Sequence, residues 1–112
     1  MALQNSLITS SGTTIYQNTT GGNVAITCII FCNREPVNPI DDEHGLTFLT
    51  MYAISTGGSP GVNNIVVNAL PVPASETVTF DHERFILAPG DKLIASSSSP
   101  EFLSCTVSWS AV

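Results

Sequence analysis

The residues best suited to acid–base chemistry lie in two short acidic segments. In one of them, His82 stands between Asp81 and Glu83, which offers a carboxylate next to an imidazole. A serine nucleophile would also need an activated hydroxyl within reach of that imidazole, and the nearby sequence provides none. We therefore interpret this segment as a solvated turn before a strand, and we expect no catalytic site and no enzyme activity.

The other acidic segment is the loop at residues 33–45, the longest and most charged loop that we predict. Its carboxylates could surround a calcium ion, but they do not follow the Asp-x-Asp-x-Asp-Gly spacing of a calcium loop. We expect no metal and no cofactor, and we interpret the loop as a contact region. His44 either responds to pH at that contact or simply caps the loop. The candidate contact residues are Glu35, Asp41, Asp42, Glu43 and His44.

The three cysteines do not have the spacing of a disulfide framework or a zinc site. Cys28 and Cys32 fall on one predicted strand, and four residues of strand separate their Cα atoms by about 13 Å. A disulfide needs a Cα separation below about 7 Å, and zinc needs more ligands nearby. We interpret these two and Cys105 as small buried hydrophobic residues.

The composition excludes several classes of protein. Only 11% of the 112 residues are charged, against about 25% in an ordinary domain, and the formal net charge is −6. With 43% hydrophobic residues the chain is not a disordered acidic tail. Arg34, Arg84 and Lys92 are too few and too scattered for binding to nucleic-acid phosphates. No apolar run is long enough to span a bilayer, and the first residues lack the pattern of a secretory signal.

The recurring signal along the chain is alternation with period two between turn residues, which predicts β-strands. We expect an all-β fold, a jelly-roll-like β-sandwich of eight or nine short antiparallel strands. Residues 1–112 form a single domain, in which residues 1–12 could be an extended arm. The predicted strands are residues 6–10, 13–16, 23–31, 46–54, 64–70, 76–80, 84–87, 92–97 and 102–111.

The two longest central strands are apolar on both faces, which predicts that each is covered on both sides. By parity, the strand at residues 23–31 places Val24, Ile26, Cys28 and Ile30 on one face and Ala25, Thr27, Ile29 and Phe31 on the other. The strand at residues 46–54 places Leu46, Phe48, Tyr52 and Ile54 on one face and Leu49, Met51 and Ala53 on the other.

A family resemblance rests on the order of several strand and turn pieces. These are Thr13-Thr14-Ile15-Tyr16, Asn23-Val24-Ala25-Ile26-Thr27 leading to Phe31-Cys32-Asn33, Met51-Tyr52-Ala53-Ile54 before a Gly-Gly-Ser-Pro-Gly turn, Phe85-Ile86-Leu87-Ala88-Pro89-Gly90-Asp91-Lys92-Leu93, and Cys105-Thr106-Val107-Ser108-Trp109. Together they resemble small virion proteins of tailed bacteriophages, including cyanophages. The resemblance runs from about Thr13 to the end of the sequence, although the loop at residues 33–45 is longer than it leads us to expect.

The resemblance implies a structural part of a phage particle, without enzyme activity. We expect a head decoration or cement protein that forms a homo-oligomer, with a trimer favoured, and clamps the major capsid protein in virions assembled in the host cytoplasm. The low charge fits a subunit packed among many copies, because few charges are desolvated. We expect no nucleic acid, membrane or small-molecule substrate as a partner. The apolar candidates for the interface are Phe31, Phe48, Tyr52, Phe85 and Phe102.

Two alternatives remain open at this point. One is a structural subunit of the tail, neck or fibre of the particle. The other is a carbohydrate-binding β-sandwich for host recognition, with Trp109 and Tyr52 as a stacking platform. Both aromatic residues lie in strands whose alternation places them in the core first.

Overall fold

The computed structural model describes residues 2–41, 44–81, 85–99 and 102–112, and these residues form an all-β sandwich. The strands are β1 (Ala2–Leu7), β2 (Thr13–Gln17), β3 (Val24–Asn33), β4 (Thr47–Ile54), β5 (Ile65–Val72), β6 (Thr77–Phe80), β7 (Phe85–Leu87), β8 (Lys92–Ser97) and β9 (Leu103–Ala111). The predicted fold class is therefore confirmed.

The first strand was predicted at the wrong residues. The sequence favoured residues 6–10, but β1 spans Ala2–Leu7 and pairs along its whole length with β9. Ile8 is fully buried, and the backbone N–H of Thr9 donates to Thr13 Oγ1 at 3.0 Å as the chain crosses to the other sheet. The local hydroxyl contact replaces a sheet partner, so the strand ends before this corner.

The strand order is that of a jelly roll. The first sheet has the order β1-β9-β3-β6, with β7 also paired to β3, and the second has the order β2-β8-β4-β5. The antiparallel pairs are nested: β1 with β9, β2 with β8, β3 with β6 and β7, and β4 with β5. This nesting distributes the strands between two sheets whose inner faces pack together.

A β-bulge in β3 decides which of its side chains face the core. Ile26 pairs with Trp109 and Cys28 pairs with Ser108, so Thr27 is an extra residue with no partner of its own. The bulge shifts the alternation by one position. Val24 and Ile26 are buried before it, and Ile29 and Phe31 are buried after it. The prediction that Cys28 and Ile30 share a face with Val24 and Ile26 was therefore wrong.

The core between the sheets is built from the inward alternate positions of both layers. Phe31, Leu49, Met51, Leu103 and Val107 are all at most 1% exposed. For β4, the predicted division is confirmed: Leu49 and Met51 face the core, and Phe48 and Tyr52 lie on the other side.

A buried asparagine closes each end of the sandwich. Asn18 Nδ2 donates to the carbonyls of Gly22 and Leu87 at 2.9 and 2.8 Å. Asn33 Nδ2 donates to the carbonyls of Gly45 and Val72 at 2.7 and 2.9 Å. Each amide satisfies a buried carbonyl at the end of a strand, Leu87 or Val72, and so joins segments that are distant in sequence.

The predicted turn at Pro89-Gly90-Asp91 is confirmed. Gly90 has a φ of +90°, and the Asp91 N–H donates to the Ala88 carbonyl at 3.0 Å. The Asp91 carboxylate accepts the N–H groups of Ala88 and Thr56, both at 2.9 Å. Asp91 therefore ties this turn to the loop that follows β4.

Candidate interface

The outer face of the first sheet carries no charged side chain among its paired rungs. Pairing aligns its outward residues in four cross-strand rungs. The rungs are Leu3–Ser108–Cys28, Asn5–Thr106–Ile30–Thr79, Leu7–Ser104–Cys32–Thr77 and, before the bulge, Ser110–Ala25–Ile86. We call this surface the neutral face.

Aliphatic side chains protrude from the neutral face between its hydroxyl groups. Leu3 is 67% exposed, Leu7 41% and Ile30 37%, and on β7 Ile86 is 58% exposed. Scattered exposed apolar residues are ordinary, but here they lie on one sheet surface whose described paired residues include no charged side chain. Such a surface loses little solvation free energy when another protein covers it.

The cysteines divide between the two faces of the first sheet. Cys28 and Cys32 are half-buried on the neutral face, whereas Cys105 is buried in the core opposite Phe31. Burial raises the pKa of the Cys105 thiol to about 12, because desolvation disfavours the thiolate. The expectation that all three are core residues is correct only for Cys105.

Two of the aromatic interface candidates, Phe48 and Tyr52, lie on the outer face of the second sheet. Phe48 is 41% exposed and pairs with Pro71 on β5. Tyr52 is half-buried and pairs with Ile65 and Ile94. Lys92 at the start of β8 pairs with Ile54, so this face, unlike the neutral face, has a charged rung.

The remaining apolar candidates lie in different places. Phe31 is fully buried and meets Phe80 edge-on at a centroid distance of 6.0 Å, so it belongs to the core. Phe85 is half-buried beside a cavity of about 130 Å³, which is also lined by Met51, Val66, Val67 and Phe80. Phe102 is half-buried just before β9. These aromatics do not form one patch.

The acidic loop forms a separate surface at the Asn33 end of the sandwich. Asp41 and His44 border a cavity of about 360 Å³ together with Glu76 from the turn before β6. The N–H of Glu35 donates to Asn33 Oδ1 at 3.0 Å, which fixes the start of the loop to the end of β3. Asp42 and Glu43 lie outside the described residues. Within the residues that are described, no three metal-binding side chains form a group that could hold an ion.

The sugar platform suggested by the sequence lacks one of its two aromatic residues. The Trp109 ring lies 5.2 Å from the Tyr16 ring, and both pack with the core between the sheets. Tyr16 is buried, and this burial raises the pKa of its hydroxyl. Trp109 therefore contributes to packing rather than to an exposed surface.

The segments that sequence reasoning considered for catalysis fall partly outside the described residues. His82 and Glu83 lie outside the described residues. The segment Gly57-Gly58-Ser59-Pro60-Gly61 has the residue order of a hydrolase nucleophile turn, but it is an exposed turn between two strands, β4 and β5. A nucleophile turn joins a strand to a helix, so this segment does not have its setting.

Sequence reasoning overlooked the residues that give the neutral face its shape. Leu3 was assigned only to a possible arm, although its alternation with Asn5 and Leu7 was a signal for a strand that begins earlier than residue 6. Asn18 and Asn33 were not singled out as buried amides, because an isolated polar residue at a strand end is also typical of an exposed turn.

No protein-family model matches the chain, and no curated protein matches it either. Among the described residues, no helix has the length and apolar character needed to cross a membrane. The functional argument therefore depends on the fold and on its surfaces.

Proposed function

We propose that the chain is a structural subunit of a phage particle, which assembles with copies of itself and cements the major capsid protein. The neutral face is the observation that carries this proposal. Jelly rolls also occur in lectins and cupins as well as capsids, and a fold alone does not define a function. The fold permits the role, and the surface supports it.

The distribution of charge supports the same role. Acidic residues such as Glu35, Asp41 and Glu76 lie in loops and turns, whereas the rungs of the neutral face carry none. A net charge of −6 makes free copies repel one another at long range. Contacts between copies are then best made through uncharged surface, and the acidic loop is left for a basic patch on a shell protein.

The test uses particles that contain the chain and particles from which it has been removed. We expect stripped heads to open at a lower temperature and to regain the original value when the purified chain is added back. The variant Ile30→Lys, which puts a charge in the neutral face, should fail to restore stability. Val62→Lys is the matched control, because Val62 is 96% exposed in a loop away from that face.

Two results would overturn the proposal of a cement protein. Heads that are equally robust without the chain would exclude cementing. A copy number of only a few dozen per particle would assign the subunit to the tail or neck instead. A further result bears on the contact surface alone: if Ile30→Lys restores stability as efficiently as Val62→Lys, the neutral face is not the contact.

A further inference from the structure

The four edges of the two sheets differ in how well they could accept another strand. β2 contains a bulge at Ile15, and β5 contains two shifts in register, Pro71, and Ala69 with a φ of +53°. Bulges and prolines hinder further pairing at an edge. The opposite edge of the first sheet is shared by the short strands β6 and β7.

β1 is the exception among the edges that the structure describes. Its six residues, Ala2–Leu7, keep one register with β9 from end to end. The strand contains no proline and no charged residue. A regular, uncharged edge of this kind is a template for another strand.

The hydrogen bonding shows which backbone groups of β1 remain free for a partner. The Ile8 N–H donates to the Leu103 carbonyl at 2.9 Å. Because bonded and non-bonded pairs alternate in an antiparallel ladder, Leu3, Asn5 and Leu7 direct their N–H and C=O groups away from β9. The Leu7 carbonyl is 3.5 Å from Thr13 Oγ1, a long contact that leaves a lone pair available.

The side chains at the same positions match each other under a twofold axis. If two copies of β1 pair antiparallel with Asn5 opposite Asn5 of the second copy, Leu3 faces the second copy's Leu7 and Leu7 its Leu3. These leucines are exposed, at 67% and 41%. Thr106 Oγ1 donates to Asn5 Oδ1 at 2.9 Å, which holds the central side chain on the neutral face.

We infer that β1 is a self-association edge, where two copies of the chain pair antiparallel about Asn5 and join their first sheets into one. This inference deepens the proposed function, since it rests on the assembly of copies and specifies the contact. Each copy donates and accepts backbone hydrogen bonds at Leu3, Asn5 and Leu7. The contact is isologous, so it makes dimers on its own and can join trimers formed through another surface.

A cysteine crosslink tests the register directly. Directly opposed residues in a hydrogen-bonded antiparallel pair have Cα atoms about 5.5 Å apart, which suits a disulfide. Asn5→Cys should therefore give a covalent dimer under mild oxidation, with the bond at position 5 identified by peptide mass spectrometry. Leu3→Cys is the matched control, because in this register the two copies of position 3 are about 13 Å apart. The wild-type chain, oxidised in the same way, measures how much crosslinking occurs through its native Cys28 and Cys32.

Charged variants test the same contact without a covalent bond. Leu3→Lys combined with Leu7→Lys sets lysines opposite lysines and should weaken the dimer by about 100-fold or more. Leu3→Lys combined with Leu7→Glu sets each lysine opposite a glutamate and should recover most of the affinity, in a salt-dependent manner. Ile86→Lys, on the neutral face but away from β1, should leave the dimer unchanged.

The outcomes separate this contact from the broader proposal. A position-5 crosslink together with recovery by the Lys/Glu pair supports pairing about Asn5. An oligomer that forms without this crosslink, or that is insensitive to the Lys/Lys variant, overturns the β1 contact and leaves the proposed function standing. A chain that is monomeric by sedimentation at every concentration overturns the β1 contact as well, while the particle experiment decides the cementing role by itself.

Discussion

β3 and β4 look alike in sequence but behave differently in the sandwich. Both are long central strands with apolar residues at odd and even positions. β4 pairs with β8 in one unbroken register, so the same parity faces the core from Leu49 to Ala53. β3 changes parity at Thr27 in its pairing with β9. A strand that is apolar on both faces can therefore be a strand that changes which face it buries.

The cause of the change lies in the contacts of one residue. Thr27 Oγ1 donates to the Ser108 carbonyl at 3.0 Å and also makes a short hydrogen bond with the Ser108 hydroxyl. These contacts give the extra residue polar partners, which an unpaired position in a ladder otherwise lacks. The bulge thus turns Phe31 into the core and Ile30 out of it.

The largest effect that we expect comes from deleting one threonine in either strand. Deleting Thr50 from β4 would move Met51 and the residues after it to the opposite face. We expect the loss of stability to exceed the whole free energy of unfolding of a typical domain, which is about 5–15 kcal/mol. Deleting Thr27 from β3 removes only the bulge and keeps Ile29 and Phe31 in the core. We expect the Thr50 deletion to be unfolded and the Thr27 deletion to be folded, as measured by circular dichroism and urea denaturation.

The two deletions test whether β3 and β4 differ in how strictly their register defines the core. If the Thr27 deletion is as unfolded as the Thr50 deletion, Thr27 is an integral part of the β3 register. If both deletions fold, the parity of β4 does not define the core.

The next effect is a contrast between neighbours on β3. Phe31→Ala should reduce the free energy of unfolding by about 3–5 kcal/mol, because it leaves a cavity between the sheets. Ile30→Ala should reduce it by less than about 1 kcal/mol, because the side chain is exposed on the neutral face. Urea titrations of both variants measure the difference, and equal losses would contradict the change of face at Thr27.

A smaller effect is expected at the end of β3, where the bulge also turns Asn33 inward. Asn33→Ala leaves the buried carbonyl of Val72 and the half-buried carbonyl of Gly45 without their donor, and an unsatisfied buried group costs about 1–3 kcal/mol. We expect a loss of about 2 kcal/mol in the free energy of unfolding. Asn38→Ala is the control, because Asn38 Oδ1 accepts the N–H groups of Ile40 and Asp41 within the acidic loop. A comparable loss in the control would show that the loop, rather than the amide, closes this end.

The smallest effect concerns Cys105, the partner of Phe31 on β9. Its pKa is raised from 9.0 to about 12 in the folded chain, so the folded state disfavours the thiolate. The stabilising contribution of this thiol is fully present below its pKa in the unfolded chain. It is lost as the pH rises from that value towards the folded pKa, and the loss in the free energy of unfolding is about 1 kcal/mol at pH 10. Cys105→Ala should flatten the decline between pH 9 and pH 12 in denaturation curves, and the remaining slope belongs to groups such as Tyr16, whose pKa is also raised. An unchanged slope would mean that folding does not raise the pKa of Cys105.

The fold class was predictable because alternation and turn residues are local signals. The Pro89-Gly90-Asp91 turn and the faces of β4 follow directly from such signals. The faces of β3 were not predictable, because the bulge at Thr27 makes its hydrogen bonds to the carbonyl and the hydroxyl of Ser108, in a strand distant in sequence. The same reason applies to Asn33, whose amide is satisfied by carbonyls that only the folded chain brings near.

The sequence could identify aromatic residues as interface candidates, but not whether each of them faces the core or the outer surface of its sheet. Phe31 and Phe48 have the same residue type and both lie in central strands, yet one is fully buried and the other 41% exposed. Which of them faces a partner depends on register, and register is set by long-range pairing. The β1 edge was missed for a related reason, since its pairing partner lies at the other end of the described chain.

The nested pairing also fixes the order in which the molecule becomes competent to associate. The Thr106–Asn5 hydrogen bond joins residues 101 positions apart, and contacts between such distant residues are slow to form because a long loop must close first. β1 has no sheet to extend until β9 has docked on β3. A nascent or partly folded chain therefore has no ordered β1 edge to offer, and under the proposed contact a copy would become competent to pair only once its fold is complete.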